Sequence, residues 1–109
     1  MSVTRLTLSV YRPRPGREGE LLPHLHEEIA ALRARGHISA RPAVICRAPD
    51  GAYLVVSEWA SPTAVDDAHG DESIVEIWRR KDGLAEYLAP ADLDGSAAPF
   101  ASYDVIDEA

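Results

Sequence analysis

"HISARPAVICRAPDGAYLVVSEWA", residues 37–60, decides the fold. Residues 37–48 and 52–60 both read as strands, rich in β-branched and aromatic residues. Between them Pro49, Asp50 and Gly51 form a turn, with Gly51 able to take positive φ. Two strands joined so closely pair antiparallel. The second strand is apolar on both parities: Tyr53, Val55 and Trp59 on one side, Leu54 and Val56 on the other. A sheet with one wet face alternates more cleanly than that, so both faces are expected to be covered.

Toward the N-terminus, residues 3–11 alternate as another strand. Leu6, Leu8 and Val10 share one parity; Arg5, Thr7, Ser9 and Tyr11 share the other. "RPRPG" (12–16) breaks it. Residues 17–35 carry Leu22, Leu25, Ile29 and Leu32 at helical spacing, and Gly36 stops the helix. Pro23 is expected in the first turn or at a kink. Toward the C-terminus, Ser61 and Pro62 start a short helix that ends near Gly70. Asp71 recaps a second segment, with Ile74, Ile77 and Trp78 on one side, that ends at Gly83. "LAEYLA" (84–89) reads as one more helical turn carrying Leu84, Tyr87 and Leu88 on one face. A loop (90–99) leads to a last strand (100–109).

The order β-α-β-β-α-β predicts an α+β, ferredoxin-like domain spanning 1–109: a four-stranded antiparallel sheet with its helices on one face. The two-sided strand at 52–60 predicts a homodimer packed sheet against sheet.

Composition narrows the function. Lys and Arg number 11 against 18 Asp and Glu, a net charge of -7, which disfavours nucleic acid as a partner. No apolar stretch approaches membrane-spanning length, and the start reads as strand rather than signal peptide. A single cysteine, Cys46, rules out an internal disulfide and suits a cytoplasmic location. No histidine pattern offers three convergent metal ligands. His24 is expected on the solvent side with Glu28, His26 toward a cavity edge, and His37 exposed. Glu58, opposite in parity to Trp59, needs a partner or a rim position.

Two side chains stand out. Val65, Ala68 and His69 share a helix face by i, i+3, i+4 spacing, which turns His69 toward the sheet. Trp59 ends the strand just before. The rings read either as a pocket wall meeting at about 4–5 Å, or as core packing with His69 bonded to a backbone carbonyl. Thr7, Ser9, Tyr11, Tyr53, Ser57 and Tyr103 are the remaining hydrogen-bonding candidates.

"YLVVSEWASPTAVDDAHGDESIVEIW" (53–78) resembles the antibiotic biosynthesis monooxygenase domain family, which typically has a strand ending in Trp, a Ser-containing helix start and a His closing the first helical segment. "PRPGREGELLPHLHEEIAAL" (13–32) is similar to that family's Pro-Gly turn into its first helix. The resemblance spans about residues 3–106. It implies a dimeric α+β barrel with a cavity between sheet and helices, and cofactor-independent oxidation of a small aromatic or polycyclic phenol by dioxygen. His69 would then act as base and Trp59 as a stacking wall, with Tyr11, Tyr53, Ser57, Ser9, Tyr103 and His26 as substrate-binding candidates. A haem-degrading branch pairs a Trp and a His at this spacing with an Asn on strand one. The chain contains no Asn, so haem turnover is not expected. A non-catalytic small-molecule binder on the same barrel is the other alternative.

Overall fold

A computed structural model describes residues 3–109. It shows an α+β fold: one open antiparallel sheet of five strands, three α-helices and a single 3₁₀ turn at Pro90–Asp92. The strands are β1 (Arg5–Pro13), β2 (Val44–Arg47), β3 (Tyr53–Trp59), β4 (Ala85–Leu88) and β5 (Asp104–Glu108), in spatial order β4-β1-β3-β2-β5. The helices are α1 (Glu18–Ala34), α2 (Ala64–His69) and α3 (Glu72–Asp82).

Five strands replace the expected four. The strand not expected is β4, which the sequence suggested as a helical turn. Leu84, Tyr87 and Leu88 fit helical spacing, but six residues are too few for periodicity to decide. The free edge of β1 decides instead: Val10 pairs with Leu88 and Tyr11 with Tyr87, giving edge amides and carbonyls partners. The hairpin at 37–60 is present but shorter. The turn at Gly51 takes φ +91° and closes through Ala48 N–H to Ala52 O. Pro42 has no amide proton to give, so β2 proper starts at Val44, and upstream only Ile38 bridges to Trp59.

The side-chain parity of β1 is inverted relative to a simple two-layer fold. Register pairs Thr7 with Ser57, Ser9 with Val55 and Tyr11 with Tyr53. The main core joins Tyr11, Tyr53, Val55 and Trp59 to Leu21, Leu25, Ile29, Leu32, Ile74 and Ile77 of the helices. The more polar parity of β1 therefore faces the helices. Its apolar parity, Leu6, Leu8 and Val10, faces the other way. There Val10, Ala48, Ala52 and Leu93 form a small second cluster beneath the 90–103 segment, with Leu54, Leu88 and Tyr103 against it. That segment covers only part of the face: Leu6, Leu8 and Val105 are 65%, 49% and 62% exposed.

Two placements correct the sequence reading of α1. His24 and Glu28 are buried rather than on the solvent side. His24 Nε2–H donates to the Ile77 carbonyl at 3.0 Å and joins α1 to α3. His37 is also mostly enclosed, with Nε2 3.0 Å from Asp71 Oδ2. Glu58 finds its partner in Arg41, at 3.1 Å. Among the described residues, no helix is long and apolar enough to cross a membrane.

Candidate functional site

The inverted parity opens a cavity of about 480 Å³ between sheet and helices. Its floor is the polar row Thr7, Ser9 and Tyr11 of β1 beside Val55, Ser57 and Trp59 of β3. Its roof is Ile29 and Leu32 of α1 and Trp78 of α3, with His69 and Val65 of α2 on the wall. This volume lies in the range of small-molecule sites, and a few hydroxyls (Thr7, Ser9, Tyr11, Ser57 and Tyr87) on a mostly apolar lining match their usual chemistry.

Trp59 and His69 both line this cavity, but the ring in contact with His69 is another one. His69 lies against Trp78, with centroids 4.8 Å apart and planes inclined at 55°. His69 Nδ1–H donates to the Val65 carbonyl at 2.8 Å, one turn back in its own helix. A carbonyl can only accept, so the neutral imidazole is fixed as the Nδ1–H tautomer. The backbone bond expected of a packing histidine is thus present, and it leaves Nε2 with a free lone pair. His69 is exposed, so it stands at the rim. Trp59 is buried, and its indole N–H has no partner among the described residues.

Thr7, Ser9, Tyr11 and Ser57 line the cavity as well. The other candidates lie elsewhere. Tyr53 shares the helix-facing side, but its hydroxyl accepts from Arg47 at 3.2 Å and it is packed in the core. Tyr103 sits on the opposite face of the sheet. His26 points to the far edge, where Nε2 lies 2.6 Å from Asp107 Oδ2, and that contact holds the Asp107 carboxyl below its usual value. Cys46 is buried in the strands, and burial pushes its thiol up, which keeps it unreactive.

The cavity also holds a cluster that the sequence reading passed over. Lys81 of α3 is buried, with Nζ 2.6 Å from Glu28 Oε1 and 2.9 Å from the Tyr11 hydroxyl. Nζ lies 4.2 Å from the Tyr11 ring centroid and 5.3 Å from that of Tyr87. The two tyrosine rings meet edge to face at 5.5 Å. Burial alone would lower the Lys81 ammonium, but Glu28 and Tyr11 outweigh it and the net shift is upward. Burial, reinforced by the Asp82 carboxylate, holds the Tyr87 phenol well above its ordinary value, so it stays protonated.

Both charged members were legible from spacing. Glu28 falls three residues after Leu25 and four before Leu32, and Lys81 four after Ile77; each occupies an apolar-stripe position of its helix. Among the described residues, no group of three or more His, Cys, Asp or Glu side chains could hold a metal ion. Compared with known protein families, curated proteins and solved structures, the chain matches none.

Proposed function

We propose that this chain is a cofactor-independent monooxygenase of the antibiotic biosynthesis type, acting on a flat phenolic or enolisable aromatic. In this reading it works in the cytoplasm as a homodimer of ferredoxin-like subunits, to which the β4-β1-β3-β2 part of the strand order corresponds. The observation that carries the proposal is the inverted parity of β1. Turning the half-buried Thr7 and Ser9 and the buried Tyr11 toward the helices while Leu6 and Leu8 stay exposed is a poor way to build a core. It is a reasonable way to build a polar-floored site for a flat ring.

The chemistry asks for three things, and residues are at hand for each. Nε2 of His69, free and at the rim, takes a proton from the substrate. Trp59 and the aliphatic side chains of Val55, Ile29 and Leu32 provide apolar surface against the ring. Sheet and helices wall the cavity on two sides, and a flat ring seated between them displaces water from the reacting carbon. The substrate anion passes one electron to dioxygen, and the radical and superoxide combine to a peroxide. For a benzylic CH₂ flanked by rings, loss of water from that peroxide gives a ketone. One oxygen atom enters the product and the other leaves as water. All four electrons come from the substrate carbon, so no external reductant is needed.

The test is oxygen uptake with anthrone, measured above the protein-free autoxidation rate. Uptake that rises with protein and yields anthraquinone supports the proposal. Quenching of tryptophan fluorescence by anthraquinone without oxygen uptake would leave the chain a small-molecule binder instead.

A further inference from the structure

The chain contains ten arginines and a single lysine, and that lysine is Lys81. All ten other Lys or Arg side chains are thus arginines, while the one lysine ammonium is buried in the cavity wall. Stability does not explain this choice. Taking a charge pair out of water costs several kcal/mol per ion, and well-packed apolar side chains of similar volume are usually as stable or more so. A buried charge cluster in a cleft is a functional candidate on physical grounds.

The hydrogen-bond directions say what the cluster presents. An ammonium has three donors and no acceptor. The ammonium is ion-paired with Glu28 Oε1 at 2.6 Å and donates one hydrogen bond to the Tyr11 oxygen. Because Tyr11 accepts there, its own proton must point elsewhere, and no protein acceptor is found for it among the described residues. Tyr11 lines the cavity. The row Glu28, Lys81, Tyr11 therefore ends in an O–H that is free to donate into the cavity.

We propose that Tyr11, backed by the Lys81–Glu28 pair, binds the oxygen of the ligand on which negative charge develops, and selects ligands that arrive neutral. This rests on the cavity being the ligand site, as proposed above. Along β1, Tyr11 is six residues from Arg5, the partner of Trp59, or about 20 Å at strand spacing. A flat three-ring ligand covers about half that length, so with its oxygen anchored at Tyr11 its ring lies along the floor pointing toward the Trp59 end. When His69 takes the substrate proton, the total charge of the site is unchanged: the ligand becomes negative as the imidazole becomes positive. A ligand with a fixed carboxylate instead adds a charge next to Glu28 and Asp82, both on the lining. The class selected is a neutral polycyclic phenol or enolisable ketone, not an aromatic acid.

The experiment uses the full chain and two flat probes, neutral 2-hydroxyanthraquinone and anthraquinone-2-carboxylate, followed by tryptophan quenching. The visible spectrum of the first also reports ionisation of its phenol. We expect the neutral probe to bind about tenfold more tightly than the carboxylate. Because the phenol proton passes to His69 and the site gains no net charge, binding should lower the apparent phenol pKa by about one unit or more, a route closed to a ligand that arrives as an anion. Tyr11→Phe keeps the ring, so it should fold, weaken the neutral probe about three- to tenfold, and shrink the pKa drop. The double variant Lys81→Met with Glu28→Leu leaves no charge unpaired and should abolish the drop. No binding by the wild-type chain, equal binding of the carboxylate, or an unchanged titration in both variants would overturn the inference. The probes are already oxidised and consume no oxygen. Failure of the oxygenase proposal shows separately, as absent uptake with anthrone while these binding results stand.

Discussion

His69 rests on Trp78 at 4.8 Å between ring centroids, and its Nδ1 is tied to Val65 O at 2.8 Å. One nitrogen and one ring face are thereby fixed, and Nε2 is the remaining reactive atom. The first prediction follows from its isolation. His69→Ala should reduce oxygen uptake about 10²- to 10⁴-fold, the usual contribution of a placed base. The melting temperature should fall only modestly, because the exposed side chain loses one helix-internal hydrogen bond and one ring contact with Trp78, about 0.5–1.5 kcal/mol. Unchanged turnover with a lower melting temperature would make His69 a packing residue.

A second prediction concerns the Lys81–Glu28 pair. Lys81→Ala strands a buried carboxylate and should destabilise the chain by about 3–5 kcal/mol in urea unfolding. The Lys81→Met, Glu28→Leu double variant should unfold near the wild-type midpoint. The pH dependence has a definite sign. The Lys81 ammonium is raised above its ordinary 10.5. Its contribution is therefore complete below 10.5 and lost as pH rises through the higher folded value. With one lysine in the chain, ¹⁵N-lysine labelling gives one Nζ signal to follow. A midpoint below 10.5 in the folded chain would contradict the pairing.

The hairpin at 37–60 and both long helices were legible because turn chemistry and periodicity agreed there. β4 was not, because a six-residue segment takes its form from the strand edge beside it. Among site residues, Trp59, His69, Tyr11, Ser9 and Ser57 share the cavity because one strand parity and one helix face suffice to bring them together. Tyr53, Tyr103 and His26 do not line it: Arg47, the far sheet face and Asp107 engage them, and those contacts arise only in the folded chain. Lys81 and Glu28 went unread because charges were assigned to solvent, although their stripe positions placed them inside.

The third prediction uses Asp71. Its Oδ1 accepts from Ser73 N–H at 3.1 Å, capping α3, while Oδ2 meets His37 and Arg35. The His37 bond first, and Arg35 second, depress its carboxyl from 3.8 to about 2. A depressed carboxyl contributes stability above 3.8, and loses it as pH falls toward 2. Asp71→Asn retains a capping oxygen. The variant should melt below wild type at neutral pH, and the two curves should converge below about pH 2. Parallel curves across that interval would remove Asp71 from acid unfolding.

The last prediction is the homodimer, and it comes from the face opposite the cavity. Leu6, Leu8 and Val105 are each about half exposed or more, and Val56 lies between strands on the same side as Leu8, its partner in register. Apolar residues on adjacent strands form a contiguous patch, unlike scattered surface leucines, and such patches mark association sites. A second copy meets the same need in reverse, because a two-fold axis sets the patch on itself. Light scattering at micromolar concentration should give about twice the 11.8 kDa chain mass. The melting temperature should rise with protein concentration, as mass action requires. Leu8→Lys places a charge in the centre of the patch and should shift the mass to that of one chain. Ligand quenching should survive in that variant, since Leu8 points away from the cavity floor formed by Thr7 and Ser9. A wild-type chain that scatters as a monomer, with a melting temperature independent of concentration, would leave this face without a second copy.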